Sequence, residues 1–264
     1  MHWDARMTLR DTPWPAGTPC WIDINVPDVA ASARYYTDLL GWKARDLGDD
    51  DGGFVIATKR AAAAAAIGPS MGPGPVSWTL YFASDDVDKT AAAILENGGT
   101  ILLESGDVGP AGRMCFATEP SGAMFGVWQA GDHIGAGIIG EPGALSWTDL
   151  RSTDPDRSRD FFSAVFGFEY QPMEMAGPDY STFTVPGSDQ PSGGIGGMMG
   201  NDGVASHWLV YLGVDNVDDA AATTQANGGN VLAPPFASPY GRMAAVTDAD
   251  GAAFWLVEMP PPAA

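Results

Sequence analysis

The chain has 264 residues, of which 45% are hydrophobic and 17% are charged, and its formal net charge is −20 at pH 7. This length suits two domains of about 130 residues each, and the apolar content favours packed cores over disorder. The negative charge would repel nucleic-acid phosphates and acidic lipid surfaces. We therefore expect neither nucleic acid nor membrane as a partner.

The sequence also carries no signal for a membrane or an oxidising compartment. No apolar run approaches the roughly 20 residues that span a bilayer, and the first residues lack the basic and then apolar layout of a signal peptide. Cys20 and Cys115 are too few for a disulfide scaffold and lie outside any CxxC pattern. We expect a cytoplasmic protein with two reduced, buried thiols.

The first predicted strand occurs twice. CWIDINVPD, residues 20–28, and SWTDLRSTD, residues 146–154, both read as a buried strand that ends in a turn. The following segments, Ala31–Trp42 and Arg157–Phe168, both have apolar residues at helical spacing. In each copy an aspartate precedes the helix and can cap it, and a glycine can end it. A strand and a helix are therefore repeated at a constant offset.

The rest of each half repeats as well. Ser77–Gly99 resembles His207–Gly229, and both predict a strand, an Asp-rich turn, a helix and an Asn-Gly-Gly terminator. Ala111–Gln129 resembles Tyr240–Glu258, and both predict a hairpin that begins with Gly-Arg-Met. The sequence thus predicts an α+β protein of four βαβββ units. Each unit is too short to form a core alone, so we expect the units to pair.

The pairing predicts two tandem domains and a glycine-rich connector. The predicted ranges are 1–130 for the first domain, with units at about 18–71 and 72–130; 131–143 for the linker; and 144–264 for the second domain, with units at about 144–200 and 201–260.

This order of motifs resembles the vicinal oxygen chelate superfamily, which includes glyoxalases, bleomycin-resistance proteins and extradiol dioxygenases. The resemblance rests on opening strands that end in VPD or STD, paired aromatics before GW or GF, the turns DDVD and DNVDDA, and the closing hairpins. Within the superfamily the chain is similar to tandem two-domain proteins described as glyoxalase-like or as hydroxylases. The resemblance implies two glyoxalase-like domains whose units form open, incomplete β-barrels, each with a concave face that holds a small molecule.

In the metal-using members, the resemblance implies, His and Glu ligands come from the first and last strands of the units. The corresponding positions here carry other residues: Trp21, Trp147, Thr79, Leu209, Gly126 and Trp255. A divalent metal site needs several imidazole or carboxylate ligands around one ion. We therefore predict no metal and no cofactor.

Side chains two apart on a strand share a face, so the first strands should direct a row of residues into each barrel. The predicted ligand-binding residues are Trp21, Asn25, Thr79, Tyr81, Trp147, Arg151, His207, Tyr211 and Trp255. Asp23 and Asp149 are the candidate catalytic residues, because a carboxylate among indoles is poorly solvated and its pKa rises towards neutrality. The alternative is structural: each Asp ties down its neighbours, and Asp149 forms an ion pair with Arg151.

Three functions fit this pattern, beside a purely structural role in which both barrels are filled by their own side chains. The first is metal-independent binding of a hydrophobic, preferably aromatic, small molecule, for sequestration, resistance or delivery. The second is a metal-free tailoring enzyme of secondary metabolism, a cyclase, hydratase or hydroxylase type that uses a pocket Asp as acid or base. The third is a metal-dependent lyase or dioxygenase. The chain is expected to work as a monomer or homodimer, and the sequence leaves open which barrel is functional.

Overall fold

The computed structural model describes residues 9–46, 52–70, 72–177, 179–200 and 203–259. It contains two eight-stranded sheets, neither of which closes into a barrel. Each sheet is built from two βαβββ units, so the predicted α+β class and the two tandem domains of paired units are confirmed. The exact domain boundaries stay a prediction.

The first sheet contains the strands of the first half of the chain. Its elements, in chain order, are β1 (Pro19–Val26), α1 (Val29–Leu40), β2 (Lys43–Asp46), β3 (Val55–Lys59), β4 (Ala62–Pro69), β5 (Trp78–Ala83), α2 (Val87–Glu96), β6 (Thr100–Val108), β7 (Gly112–Thr118) and β8 (Met124–Ala130).

The second sheet repeats this order. Its elements are β9 (Leu145–Arg151), α3 (Pro155–Phe166), β10 (Glu169–Pro172), β11 (Ser181–Thr184), β12 (Gly193–Gly196), β13 (His207–Val214), α4 (Val217–Ala226), β14 (Asn230–Ser238), β15 (Gly241–Thr247) and β16 (Ala253–Glu258), with a short 3-10 helix at Glu174–Ala176.

Both sheets have the same strand order. The first is β2-β3-β4-β1-β5-β8-β7-β6, and the second is β10-β11-β12-β9-β13-β16-β15-β14. The two units of a sheet meet where their opening strands pair antiparallel, β1 with β5 and β9 with β13. The side chains at the start of each unit therefore face one another across the middle of the sheet.

The helices begin and end where the sequence predicts. The Asp28 carboxylate accepts a hydrogen bond from the Ala31 backbone amide, and Gly41 ends α1 with a φ of 67°, in the left-handed region. Asp154 and Gly167 do the same for α3. Each helix has ten or twelve residues, and no helix in the described ranges is long and apolar enough to cross a membrane.

One hydrophobic core belongs to both domains. The helices lie between the two sheets, where α1 contacts α4 and α2 contacts α3. Phe82 of the first sheet packs against Phe162 and Trp208 of the second domain, at ring-centroid distances of 5.7 and 5.2 Å. The helix side of each sheet is thus filled by the other domain, which leaves the opposite face of each sheet as its own separate surface.

The glycine-rich connector is packed against the first domain. Backbone amides of Ala136 and Gly137 donate to the carbonyls of Cys20 and Ala63, at 2.7 and 2.8 Å. Cys20 and Cys115 are both free, buried thiols, as expected.

Candidate functional site

We call the helix-free face of each sheet its cup. The first cup is defined by Trp21, Asp23, Tyr81 and Trp128, and the second cup by the corresponding face of β9, β13 and β16. Alternation along a strand places every second side chain in the cup. All the predicted site residues of a domain therefore lie on the same face of its sheet.

The register of the opening strands brings the predicted residues together. In the first cup, Trp21 lies opposite Tyr81 and Asp23 lies opposite Thr79. Asn25 follows on the same face of β1, opposite Gly68 of β4. In the second cup the pairs are Trp147 with Tyr211 and Arg151 with His207, and Tyr211 lies opposite Trp255 on its other side. The predicted site thus divides into two separate sets, one in each cup.

The first cup is filled by its own side chains. Trp21, Tyr81 and Trp128 are only 5%, 2% and 6% exposed. They belong to a second hydrophobic cluster whose buried members are Cys20, Trp21, Ile56, Ala66, Tyr81, Ala83, Trp128 and Ala136.

The connector covers this cluster. The His133 ring makes an edge contact with Trp21 at 4.4 Å, and its carbonyl accepts from the Trp128 indole at 2.9 Å. The Trp14 indole donates to the Ala136 carbonyl at 2.9 Å. Burial lowers the pKa of His133 to about 4, so this ring is neutral at pH 7. The first cup is therefore filled by its own aromatic side chains and covered by the connector.

Gly126, at a position where the resemblance implies a metal ligand, makes room for a tyrosine. The Tyr81 ring lies over it so closely that a β-carbon on Gly126 would be 2.1 Å from the ring. Phe54 covers Gly68 in a similar way, with its ring 2.3 Å from a β-carbon built there. The sequence analysis did not predict that Tyr81 covers Gly126 or that Phe54 covers Gly68. A glycine within an apolar strand was the signal that could have indicated each contact.

Asp23 lies buried in this filled cup. One carboxylate oxygen, Oδ2, accepts from the Tyr81 hydroxyl at 2.6 Å. The other, Oδ1, is buried and has no hydrogen-bond partner among the described residues. Burial raises the pKa of Asp23 to about 6, although the nearby hydroxyls of Tyr81 and Thr79 oppose the shift.

Asp149, the equivalent residue of the second cup, is surrounded by donors. Its Oδ1 accepts from the Trp147 indole at 2.9 Å and from the Tyr180 hydroxyl at 2.7 Å. Its Oδ2 accepts from the Tyr211 hydroxyl at 2.7 Å and from Arg151 Nη2 at 3.0 Å. Burial, followed by the nearby Asp149 charge, raises the pKa of both tyrosines, so their hydroxyls stay protonated and donate.

Tyr180 is the site residue that sequence reasoning did not single out. Its ring crosses β12, where β-carbons on Gly194 and Gly196 would lie 2.0 Å from the hydroxyl oxygen and 2.9 Å from the ring. The alternate glycines of SGGIGG are therefore the space that the tyrosine needs.

The second cup retains an open aromatic surface. Tyr211 stacks on Trp255 with ring centroids 5.6 Å apart and an angle of 15° between the planes. Trp147, Trp255 and His207 are only partly buried. Arg151 lies beside them, and its Nη1 is buried without a hydrogen-bond partner in the described part of the chain.

A methionine-rich loop lies at the rim of this cup. Met173 accepts a hydrogen bond through its sulfur from the Tyr240 hydroxyl, which joins the loop after β10 to the β14–β15 hairpin at 2.8 Å. Met175, in the same loop, is 77% exposed. Methionine adapts to irregular ligand surfaces, so this loop suits an adjustable wall.

The side chains present do not fit the divalent metal of the metal-using relatives. Across the described ranges, no three His, Cys, Asp or Glu side chains converge. In the second cup, indole, tyrosine and guanidinium donors surround one carboxylate. A metal site needs the opposite chemistry, several lone-pair donors around a cation.

The sequence profile of the Glyoxalase/Bleomycin resistance protein/Dioxygenase superfamily matches residues 19–127 and 144–256. The chain belongs to this superfamily. Each match covers one of the two eight-stranded sheets almost completely, so both domains are glyoxalase-superfamily domains.

Two superfamily relatives resemble the chain over nearly its whole length. The putative glyoxylase CFP32 of Mycobacterium bovis is 39% identical, over 93% of this chain and 96% of the relative. The anthracycline biosynthesis protein DnrV of Streptomyces peucetius is 33% identical, over 94% of this chain and 95% of the relative. One relative is thus named for a pathway of secondary metabolism.

Solved structures of the superfamily share the fold at low identity. The Mn(II)-bound glyoxalase of Novosphingobium aromaticivorans has a TM-score of 0.65 at 16% identity, and the match covers 92% of this chain and 83% of that one. The 2,3-dioxygenase LapB of Pseudomonas sp. KL28 has a TM-score of 0.64 at 15% identity, covering 92% and 93%. At this identity the likeness supports the fold alone.

Proposed function

We propose that the second cup binds a flat aromatic small molecule without a metal ion, to hold or deliver it. The observation that carries this proposal is the partly exposed Trp255, stacked on the buried Tyr211, beside Arg151, whose Nη1 has no hydrogen-bond partner among the described residues. The first cup, in contrast, is filled by its own aromatic side chains.

The chemistry of the second cup suits such a ligand. Aromatic rings stack at offsets like that between Tyr211 and Trp255, so a further flat ring can extend the stack. Arg151 Nη1 can donate to a carbonyl, phenolate or carboxylate oxygen of the ligand. Asp149 holds Arg151, Tyr211 and Tyr180 in place before the ligand arrives, which reduces the entropic cost of binding.

The relatives support the class of ligand. DnrV is named for anthracycline biosynthesis, and anthracyclines are built on a flat, fused-ring quinone that carries carbonyl and hydroxyl groups. Such a molecule offers a face for Trp255 and an acceptor oxygen for Arg151. We therefore take an anthraquinone as the test compound.

The test is a titration with anthraquinone-2-carboxylate, followed by the fluorescence of the nine tryptophans. We expect a micromolar Kd, and about tenfold weaker binding by Trp255→Leu because one stacking contact is lost. Trp14→Leu is the matched control, since it removes a tryptophan outside the second cup and should leave the Kd unchanged. No binding up to millimolar ligand, or equal loss in both variants, would refute the proposal.

The second candidate function is a metal-free tailoring enzyme that uses a cup aspartate as acid or base. Asp23 is the candidate because burial raises its pKa to about 6 and its Oδ1 has no partner in the described residues, but a substrate would reach it only if the connector uncovered the filled first cup. If Asp23 is catalytic, Asp23→Asn should abolish turnover of an aromatic ketone while the protein stays folded. Unchanged turnover would remove Asp23 from consideration.

A further inference from the structure

The second cup contains a histidine whose tautomer the structure defines. His207 Nδ1 lies 2.8 Å from the backbone carbonyl oxygen of Ala205. A carbonyl oxygen only accepts hydrogen bonds, so Nδ1 must carry the proton. In the neutral ring the lone pair is then on Nε2. His207 therefore has a fixed orientation, and its Nε2 makes no hydrogen bond within the described part of the chain.

This histidine lies directly opposite Arg151. The two residues form a cross-strand pair between β13 and β9, and both side chains are on the helix-free face. Opposed residues on neighbouring strands have β-carbons about 5 Å apart, so one small molecule can touch both side chains. Trp147 lies four residues from Arg151 along β9, and Tyr211 lies four residues from His207 along β13, where the aromatic stack begins.

Arg151 is held ready to bind a negative charge. Its Nη2 donates to Asp149 at 3.0 Å, and its guanidinium carbon lies 5.5 Å from the centre of the Tyr180 ring. Nη1 remains, buried and without a hydrogen-bond partner among the described residues. An oxygen that gains negative charge during a reaction would find a preorganised donor at this nitrogen.

Asp149 is unsuited to be the base. Both of its oxygens already accept two hydrogen bonds, from Trp147 and Tyr180 on one side and from Tyr211 and Arg151 on the other. A general base needs an oxygen that can approach the substrate proton, and both oxygens of this carboxylate are already occupied by donors. Asp149 is therefore a positioning residue for Arg151 and the tyrosines.

We infer that the second cup abstracts a proton from the carbon next to a carbonyl group of an aromatic ketone, with His207 Nε2 as general base and Arg151 Nη1 as the donor to the developing enolate oxygen. The inference rests on the proposed binding of a flat aromatic molecule in this cup and names its substrate class.

The step is balanced without a co-reactant. The C–H bond breaks, its proton goes to His207 Nε2, and its electron pair forms the carbon–carbon double bond of the enolate. The carbonyl π electrons move to the oxygen, which Arg151 Nη1–H then stabilises. Return of the proton from the imidazolium to oxygen gives the enol, and its return to carbon regenerates the ketone; exchange of that proton with solvent before it returns to carbon labels the substrate.

The experiment measures hydrogen–deuterium exchange of 2-tetralone in D2O by proton NMR, with tryptophan fluorescence in the same samples to report binding. We expect the protein to accelerate loss of the α-proton signals over buffer. His207→Gln should still bind the ketone, as the fluorescence titration shows, and at saturating ketone should lose at least about 100-fold of the protein-catalysed rate, the usual contribution of a general base. Arg151→Gln should lower both binding and exchange.

His133→Gln is the matched control, because His133 belongs to the cover of the first cup and should leave both quantities unchanged. Binding without accelerated exchange, or full exchange by His207→Gln, would overturn the inference while the proposed binding function stands. Failure to bind 2-tetralone or any anthraquinone would overturn both.

Discussion

Asp23 and Asp149 occupy the same place in the two domains, but their carboxylates have different partners. Asp149 accepts hydrogen bonds from four side chains, whereas Asp23 accepts one, from Tyr81. Two neighbours account for most of the contrast. Asn25 takes the place of Arg151, and Phe54, just before β3, takes the place of Tyr180, just before β11. A repeated residue thus acquires its chemistry from residues that are not repeated.

The same comparison explains why one cup is filled and the other open. In the first cup, Phe116 on β7 and Trp128 on β8 project towards Tyr81 and the connector. The equivalent positions of β15 and β16 carry Ala245 and Val257. The second cup thus lacks two of the aromatic groups that fill the first, and it has Trp255, which is partly exposed, where the first cup has Gly126.

The largest expected effect on stability comes from exchanging the two aspartates for asparagine. Asp149→Asn should lower the free energy of unfolding by about 3 to 5 kcal/mol, because Arg151 would be left as a buried charge without its partner. Asp23→Asn should be neutral or stabilising at pH 7.5, because it removes a buried charge with a single hydrogen bond. Urea denaturation of both variants measures the difference.

Equal destabilisation by the two variants would contradict the claim that Asp149 is held by more partners than Asp23. It would mean that Asp23 has partners as strong as those of Asp149. Ligand binding offers a second readout, since Asp149→Asn should also weaken the anthraquinone complex by releasing Arg151, whereas Asp23→Asn lies in the other cup.

The next effect is a pH dependence that only Asp23 should produce. Burial raises its pKa from an ordinary value of 3.8 to about 6, so between these values the folded state binds more protons than the unfolded state. The contribution of Asp23 therefore favours folding at low pH and is lost as the pH rises through about 6. The stability of wild type relative to Asp23→Asn should fall by about 2 kcal/mol between pH 4 and pH 7.

The relevant measurement is the difference between wild type and Asp23→Asn at each pH, in which the other titrating groups cancel. A constant difference between pH 4 and pH 7 would show that Asp23 ionises normally. The sign is specific, because an aspartate stabilised by an ion pair would give the opposite slope.

The fold was predictable because it depends on local and repeated signals. The aspartates that cap α1 and α3, the glycines that end them and the alternation along β1 and β9 each follow from short-range rules. The same alternation placed Trp147, Asp149 and Arg151 on one face, and the ion pair between Arg151 and Asp149 was foreseen as the structural alternative.

The contents of the cups depend on contacts between distant segments, which no short-range rule gives. Tyr180 reaches Asp149 only because Gly194 of β12 lets its ring cross the sheet. The connector covers the first cup through His133 and Ala136, which a glycine-rich composition does not reveal. The sequence therefore predicts which face carries the site but not which of the two faces is free.

The smallest expected effect tests whether the contrast extends to the contact between the domains. Ser158 of α3 is fully buried and donates to Glu119, itself buried, in the other domain at 2.9 Å. Its equivalent Ser32 of α1 donates to the exposed Asp250 at 2.9 Å. A hydrogen bond to a buried carboxylate contributes more to stability than a hydrogen bond to a solvated carboxylate.

Ser158→Ala should therefore lower the free energy of unfolding by about 1 to 2 kcal/mol, and Ser32→Ala by at most about 0.5 kcal/mol, as measured by thermal and urea denaturation. Equal costs would mean that the two halves of the interface are energetically alike, and that the asymmetry between the domains is confined to their cups.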